Sequence, residues 1–292
     1  MADHDSRPTL IAVDIGNSRI KLGRFCAASG RGHEASAGTG SAPQSLPEPA
    51  GTLELPLANQ AGDFDAAPLA PWCDSPAAAA AWLVSSVHRG AAERLATAVG
   101  TLAKARVADW PLRLLTYRDV PLQLAVDAPD RVGIDRLLAA LAANQLRRPG
   151  RAAIVVDMGT AITVDLVTAA AEFAGGAILP GMAMSARALE EQTDALPHVA
   201  INAWQNPPLP LGKATIPAIE AGLFWGAVGA VRELVEQLSA GIDIPPDIFV
   251  TGGNSQLVAD QLTSAHGMVV KHVPHLVLAG IALVHFADAA RA

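Results

Sequence analysis

One short module occurs twice in this 292-residue chain, and it limits the possible fold more than any other feature. The module is an apolar run, an Asp-x-Gly turn with a small polar residue, and a second apolar run. Its first copy is Thr9-Leu10-Ile11-Ala12-Val13, Asp14-Ile15-Gly16-Asn17 and Arg19 to Phe25. Its second is Ala152-Ala153-Ile154-Val155-Val156, Asp157-Met158-Gly159-Thr160 and Ile162 to Val167. Short aliphatic runs bounded by glycine-bearing turns read as buried strands in hairpins. The copies lie too far apart for a solenoid period. They predict two related α/β domains facing each other across a cleft.

The rest of the chain fills in both halves. Strands are predicted at Leu53 to Leu57, Ala81 to Val87 and Asp247 to Val250. Helices are predicted at Arg89 to Lys104, Asp130 to Gln145, around Ala183 to Gln192, over Glu220 to Leu238, and from Leu276 onward. In the second of these, Leu137, Leu138 and Leu141 fall on one face. Cys26 to Pro71 is rich in Ala, Gly, Ser and Pro, a composition that predicts a long, mobile surface insertion for most of the stretch, around the Leu53 to Leu57 strand. The expected domains are 9–147, carrying that insertion at about 26–71, and 151–290. This is the organisation of the actin-like ATPase fold, with its ribonuclease-H-like halves.

Composition narrows the function. Hydrophobic residues make up 51% of the chain, which excludes a disordered protein, and the net charge is −7. Binding to a phosphate backbone needs a basic face, so no nucleic-acid partner is expected. Cys26 and Cys73 have neither CxxC nor metal-ligand spacing, and so suit a reducing compartment. Met1 to Pro8 lacks the layout of a signal peptide, and the longest apolar run, Leu276 to Ala287, is interrupted by His285. The expectation is a cytoplasmic protein with no membrane partner.

The Asp-x-Gly turns carry the most chemistry. A glycine after a strand-end aspartate lets successive N–H groups point at one cluster of phosphate oxygens. The aspartate suits a hard cation or its bound waters. Asn17, Ser18 and Thr160 add neutral donors and Lys21 a positive charge. A single such turn is also ordinary hairpin punctuation; two matched copies, each after a buried strand, favour phosphate. At Gly133-Ile134-Asp135-Arg136 a helix dipole favours the ionised carboxylate, and Arg136 can grip an anion, though simple capping gives the same pattern. Thr251-Gly252-Gly253-Asn254 allows close approach to a flat ligand such as a nucleoside, or makes a plain strand-to-helix turn. Gly212-Lys213-Ala214-Thr215 is equally open.

The order of these segments resembles type III pantothenate kinase. Asp14-Ile15-Gly16-Asn17-Ser18, Ser85-Ser86-Val87, Gly133-Ile134-Asp135-Arg136, Asp157-Met158-Gly159-Thr160-Ala161, Gly175-Gly176-Ala177-Ile178, Pro180-Gly181, Gly212-Lys213-Ala214-Thr215 and Thr251-Gly252-Gly253 follow one another in the family's sequence. The resemblance spans Leu10 to Phe286 apart from the insertion. It implies ATP-dependent phosphorylation of pantothenate at the start of coenzyme A biosynthesis, with Mg²⁺, a monovalent cation (potassium or ammonium) and a homodimer. Asp14, Ile15, Gly16, Asn17, Ser18, Arg19, Ile20 and Lys21 would then form the ATP phosphate loop, with Thr160 also on ATP. Asp157 would bind the monovalent cation. Gly133, Ile134, Asp135, Arg136 and Thr215 would hold pantothenate, with Asp135 as proton acceptor.

Two positions depart from the family. Ser18 replaces a common threonine and keeps the hydroxyl. Val126 stands where a substrate-contacting tyrosine is frequent, which bears on substrate affinity. The rival readings are a sugar or acetate kinase of the same superfamily and a non-catalytic regulatory homologue; the presence of Asp14, Asp135 and Asp157 disfavours the latter. The small-residue helix at Glu220 to Leu238 independently invites close packing between two copies. The histidines lack zinc spacing, and the five tryptophans are expected to pack.

Overall fold

The structure, a computed structural model, describes residues 8–26, 45–73, 81–106, 108, 110–201, 204–266 and 268–289. Strands β1 (Pro8–Ile15) and β2 (Arg19–Cys26) form an antiparallel hairpin, closed where the Gly16 N–H donates to the Arg19 carbonyl at 3.0 Å. Strand β3 (Gly51–Pro56) extends it antiparallel to β2. Strand β4 (Ala81–Ser86) lies parallel beside β1, and β5 (Leu112–Leu114) parallel beside β4. The sheet order is β3-β2-β1-β4-β5.

The second sheet repeats this plan. It contains β6 (Gln123–Leu124), β7 (Ala153–Met158), β8 (Ala161–Val167), β9 (Glu172–Pro180), β10 (Asp247–Gly252) and β11 (Val270–His272), in the order β11-β10-β7-β8-β9-β6. Strands β7, β8 and β9 are a meander, and β10 and β11 run parallel beside β7. With β6 set aside as an edge addition, β7 to β11 match β1 to β5 in order and direction. This is the ribonuclease-H-like sheet twice over, the plan of the actin-like ATPase fold.

The helices are α1 (Leu69–Cys73), α2 (Arg89–Arg106), α3 (Ile134–Leu146), α4 (Met182–Glu191), α5 (Thr215–Ser239), α6 (Ser255–His266) and α7 (Leu276–Ala289). The chain divides into two compact units. The first holds β1 to β5, α1 to α3 and α7; the second holds β6 to β11 and α4 to α6. The linear division 9–147 and 151–290 assigns Leu276 onward to the second half. In the structure α7 packs on α3 and on β1, β2 and β4 instead.

Period-two alternation sorts the first sheet's side chains. Ile11, Val13 and Ile15 of β1, with Trp82 and Val84 of β4, face Leu69 of α1 and Ala91, Leu95 and Val99 of α2. The opposite face carries α7, whose Leu278 lies over Gly23 of β2, and α3, which packs on α7 and β4. In the second unit Ile154, Val156, Ile248 and Val250 pack under Phe224, Val228 and Val231 of α5 and Val258 and Leu262 of α6. Asp247, buried at the head of β10, accepts hydrogen bonds from Arg148 Nε at 2.8 Å and the Arg148 N–H at 2.7 Å, with Arg148 Nη2 closing an ion pair on the same carboxylate. Burial raises that carboxyl; the Arg148 contacts and the Lys271 charge outweigh it and hold it below the usual carboxylate range.

The expectation for Cys26 to Pro71 needs correcting. Residues 27–44 lie outside the described residues. The remainder is part of the fold: β3 pairs along β2, and Leu55 and Leu69 are buried in the core beneath it. Each such leucine contributes about 1.5–3 kcal/mol on burial, enough to tie down a segment of otherwise loop-like composition.

Candidate functional site

Strand register places the two repeated aspartates in matching surroundings. Asp14 is paired with Lys21 of β2 and with Ser85 of β4. Register partners point to the same side of a sheet, so Lys21, Asp14 and Ser85 form one row at the carboxyl end of β1. That row lies on the face of Ala12 and Gly23, which α7 and α3 cover, away from the core under α2. In the second unit Asp157 is paired with Thr163 of β8 and Thr251 of β10. Each strand-end aspartate thus has a hydroxyl beside it on the neighbouring parallel strand. Both hydroxyl residues are buried. Ser85 Oγ has no hydrogen-bond partner among the described residues.

The predicted loop from Asp14 to Lys21 divides by environment. Ile15 and Ile20 are in the core, so only their backbone can reach a ligand. Asn17 and Ser18 are exposed at the tip, and Asp14, Gly16 and Lys21 are half-buried. Arg19 is engaged by Glu54 of β3 at 2.9 Å. Thr160 is half-buried in the second turn, where its carbonyl accepts the Gly181 N–H at 3.0 Å.

Asp135 lies in the first turn of α3. The helix begins later than its apolar pattern suggests, because Pro129–Arg131 forms a 3₁₀ turn ahead of it. Asp135 Oδ1 accepts the Arg136 N–H at 2.8 Å. A Cβ on Gly133 would stand 2.5 Å from the same oxygen, so the carboxylate fills the space that glycine leaves open. Burial pushes the Asp135 carboxyl above its ordinary value, against the pull of the Arg136 N–H and guanidinium. Ile134 is buried and Arg136 half-buried. Asp14 and Asp135 belong to the same unit, on one sheet face and the helix layer over it.

The other predicted residues fall in the second unit. Val126 follows the edge strand β6, and its Cγ1 lies 3.5 Å from where a Cβ on Gly175 would stand. Thr215 is exposed at the first position of α5. Asp157 is half-buried against the end of β10: a Cβ on Gly252 would lie 2.5 Å from its Oδ1. A Cβ on Gly181 would lie 2.4 Å from both the Gly159 and the Thr160 carbonyl oxygens, so these carbonyls crowd one side of the turn.

Sequence reasoning passed over four side chains here. Ser85 and Thr251 entered only as parts of motifs, although a hydroxyl closing a buried strand beside an aspartate is a signal the sequence does carry. The Ser255–His272 contact, at 2.8 Å, has no sequence signature at all. No group of three or more His, Cys, Asp or Glu residues among the described residues is disposed to hold a metal. Nor is any described helix long and apolar enough to cross a membrane.

The chain is similar to known proteins. The family model for type III pantothenate kinase matches residues 10–237. The type III pantothenate kinase of Rhodopirellula baltica is 40% identical over 196 residues, covering 66% of this chain and 68% of that protein. That of Dehalococcoides mccartyi is 32% identical over 251 residues, covering 86% and 87%. A crystal structure from Sinorhizobium meliloti, provisionally named a 2-dehydro-3-deoxygalactonokinase, superposes with a TM-score of 0.52 over 96% of this chain and 99% of that one. At 13% identity its likeness bears on the fold alone.

Proposed function

Because the chain belongs to the type III pantothenate kinase family, we propose that it moves the γ-phosphoryl group of ATP to the primary hydroxyl of pantothenate, making 4′-phosphopantothenate for coenzyme A biosynthesis. The observation that carries the residue assignment is Asp135: a half-buried carboxylate, held by the Arg136 N–H against Gly133, on a helix over the Asp14 face.

The residues present fit the groups this reaction uses. Beside the half-buried Asp14 carboxylate stand the Lys21 ammonium and the Ser85 hydroxyl, which has no partner among the described residues and which a phosphate oxygen or metal-bound water would satisfy. The Asp14–Lys21 loop would hold the phosphates of ATP with Mg²⁺. Asp157 and the crowded Gly159 and Thr160 carbonyls offer only oxygen donors, which suits a hard monovalent cation, potassium or ammonium. Both cations would offset triphosphate charge while the phosphoryl group transfers.

The chain's own part is placement. Transfer of this kind passes through a loose transition state, so aligned groups matter more than covalent help. Asp135 would accept the hydrogen bond of the pantothenate hydroxyl, aim it at the γ-phosphorus and take its proton late. Its upward-shifted carboxyl makes it a better base than a solvated aspartate. Arg136 would pair with the pantothenate carboxylate, helped by Gly133, Ile134 and Thr215, with Val126 as an apolar wall. Thr160 and the Gly252–Asn254 turn would lie against the nucleotide.

The same reading includes a cytoplasmic homodimer. Helix α5 exposes Ala218, Gly222 and Gly226 at four-residue spacing, which permits a second helix to approach closely. Light scattering should give twice the 30.0 kDa chain mass; a value equal to one chain would remove the dimer.

The direct test is pantothenate-dependent ADP formation with and without potassium. The expected outcome is pantothenate turnover that rises with potassium. Acceptance of a hexose or acetate in its place would move the protein to another kinase of the superfamily.

A further inference from the structure

The turn after β10 is held from two sides. Gly252 has φ +97° and Asn254 φ +57°, so the backbone takes a sharp left-handed course before α6 begins at Ser255. On one side Gly252 meets the second unit's aspartate: its Cβ would stand 2.5 Å from Asp157 Oδ1 and 2.7 Å from the Met158 carbonyl. Any other residue there would clash and be strained by its φ as well.

On the other side stands Ser255, which is buried. Its Oγ lies 2.7 Å from the Gly252 carbonyl oxygen and 2.8 Å from His272 Nε2. A hydroxyl has one proton, and a carbonyl can only accept. Ser255 therefore donates to Gly252 O, and Nε2–H of His272 donates to Ser255 Oγ, which sets the neutral tautomer of the ring. Burial holds the imidazole below its ordinary value, against the pull of Asp260. His272 itself is anchored by β11, paired with Val250 of β10. A continuous line of contacts runs from His272 through Ser255 and Gly252 to Asp157.

We propose that Ser255 and His272 are positioning residues for the nucleotide, fixing the Gly252–Gly253–Asn254 turn at the height where it meets both Asp157 and the bound nucleoside. The proposal rests on the reading that this turn touches ATP. Neither side chain touches the ligand; they act through the turn.

The test is titration calorimetry of Mg·ADP into wild-type protein and into Ser255→Ala, His272→Ala, Ser255→Thr and His272→Gln. Each alanine variant should bind Mg·ADP about two- to tenfold more weakly, the worth of one hydrogen bond. Threonine keeps the hydroxyl and glutamine keeps a donor, so both should bind within about twofold of wild type. In kinetics the alanine variants should raise KM for ATP, with kcat at saturating ATP and KM for pantothenate within about twofold. Alanine variants that bind Mg·ADP like wild type would overturn the proposal. So would an equal loss in both substrates and kcat, the mark of a merely structural role. If Ser255→Ala does not fold, His272→Ala decides, since that ring sits at the half-exposed edge. Wild type that binds Mg·ADP but does not phosphorylate pantothenate would unseat the assigned acceptor and leave this proposal standing.

Discussion

The Asp135 carboxylate occupies the space that a side chain on Gly133 would fill, its Oδ1 only 2.5 Å from where the Cβ would be. Gly133→Ala should therefore turn the carboxylate away and break its bond from the Arg136 N–H. We expect kcat to fall about ten- to a hundredfold, the cost of misplacing a reacting group by about an ångström. KM for ATP and the melting curve should change little. Unchanged kcat would mean that this orientation is not used in the reaction.

Asp135 should also govern the pH dependence. Burial raises its carboxyl, so its active, ionised form is lost as pH falls through a value above the ordinary aspartate range near 3.9. Asp135→Asn should lower kcat by roughly 10²–10⁴ and remove that acid limb while Mg·ADP still binds. The stability sign is opposite. A raised folded-state value means folding holds the proton more tightly, so stability declines as pH rises from about 3.9 to that value and stays lower above it. The asparagine variant, always neutral, should melt no lower than wild type at neutral pH. Near-normal turnover would take Asp135 out of the catalytic role.

The allegiance of α7 to the first unit can be read by calorimetry. A Cβ on Gly280 would lie 2.2 Å from the Leu138 carbonyl oxygen of α3, a backbone atom that cannot swing aside. Gly280→Ala should cost about 1–3 kcal/mol of stability through overpacking. A variant as stable as wild type would show that the two helices do not pack this closely.

The Arg148–Asp247 pair sets an acid-stability window. Asp247 is held below its unfolded value, so the stability it confers is present above about pH 3.9 and lost as pH falls through the lower folded value. Arg148→Met leaves a buried carboxylate short of donors and should cost about 1–3 kcal/mol at neutral pH. The gap should narrow in acid, where the carboxyl is neutral in both proteins. A gap independent of pH would assign the loss to packing instead.

What could be read without coordinates was local. Two aliphatic runs ending in Asp-x-Gly announce strand-turn-strand units wherever they occur, because period and turn chemistry act over a few residues. The order of the polar motifs, from Asp14 to Gly253, sufficed for the family. Tertiary structure alone decided the rest. Leu55 joined the first sheet's core because β2 offered a free edge, and Leu69 because α1 packs on that core, neither of which composition can register. Leu276–Ala289 crossed back to the first unit because its apolar surface fits α3 and β1, far off in sequence. Gly252 met Asp157, and His272 met Ser255, through strand register, which is set by the summed pairing of whole strands and leaves no mark on any one residue.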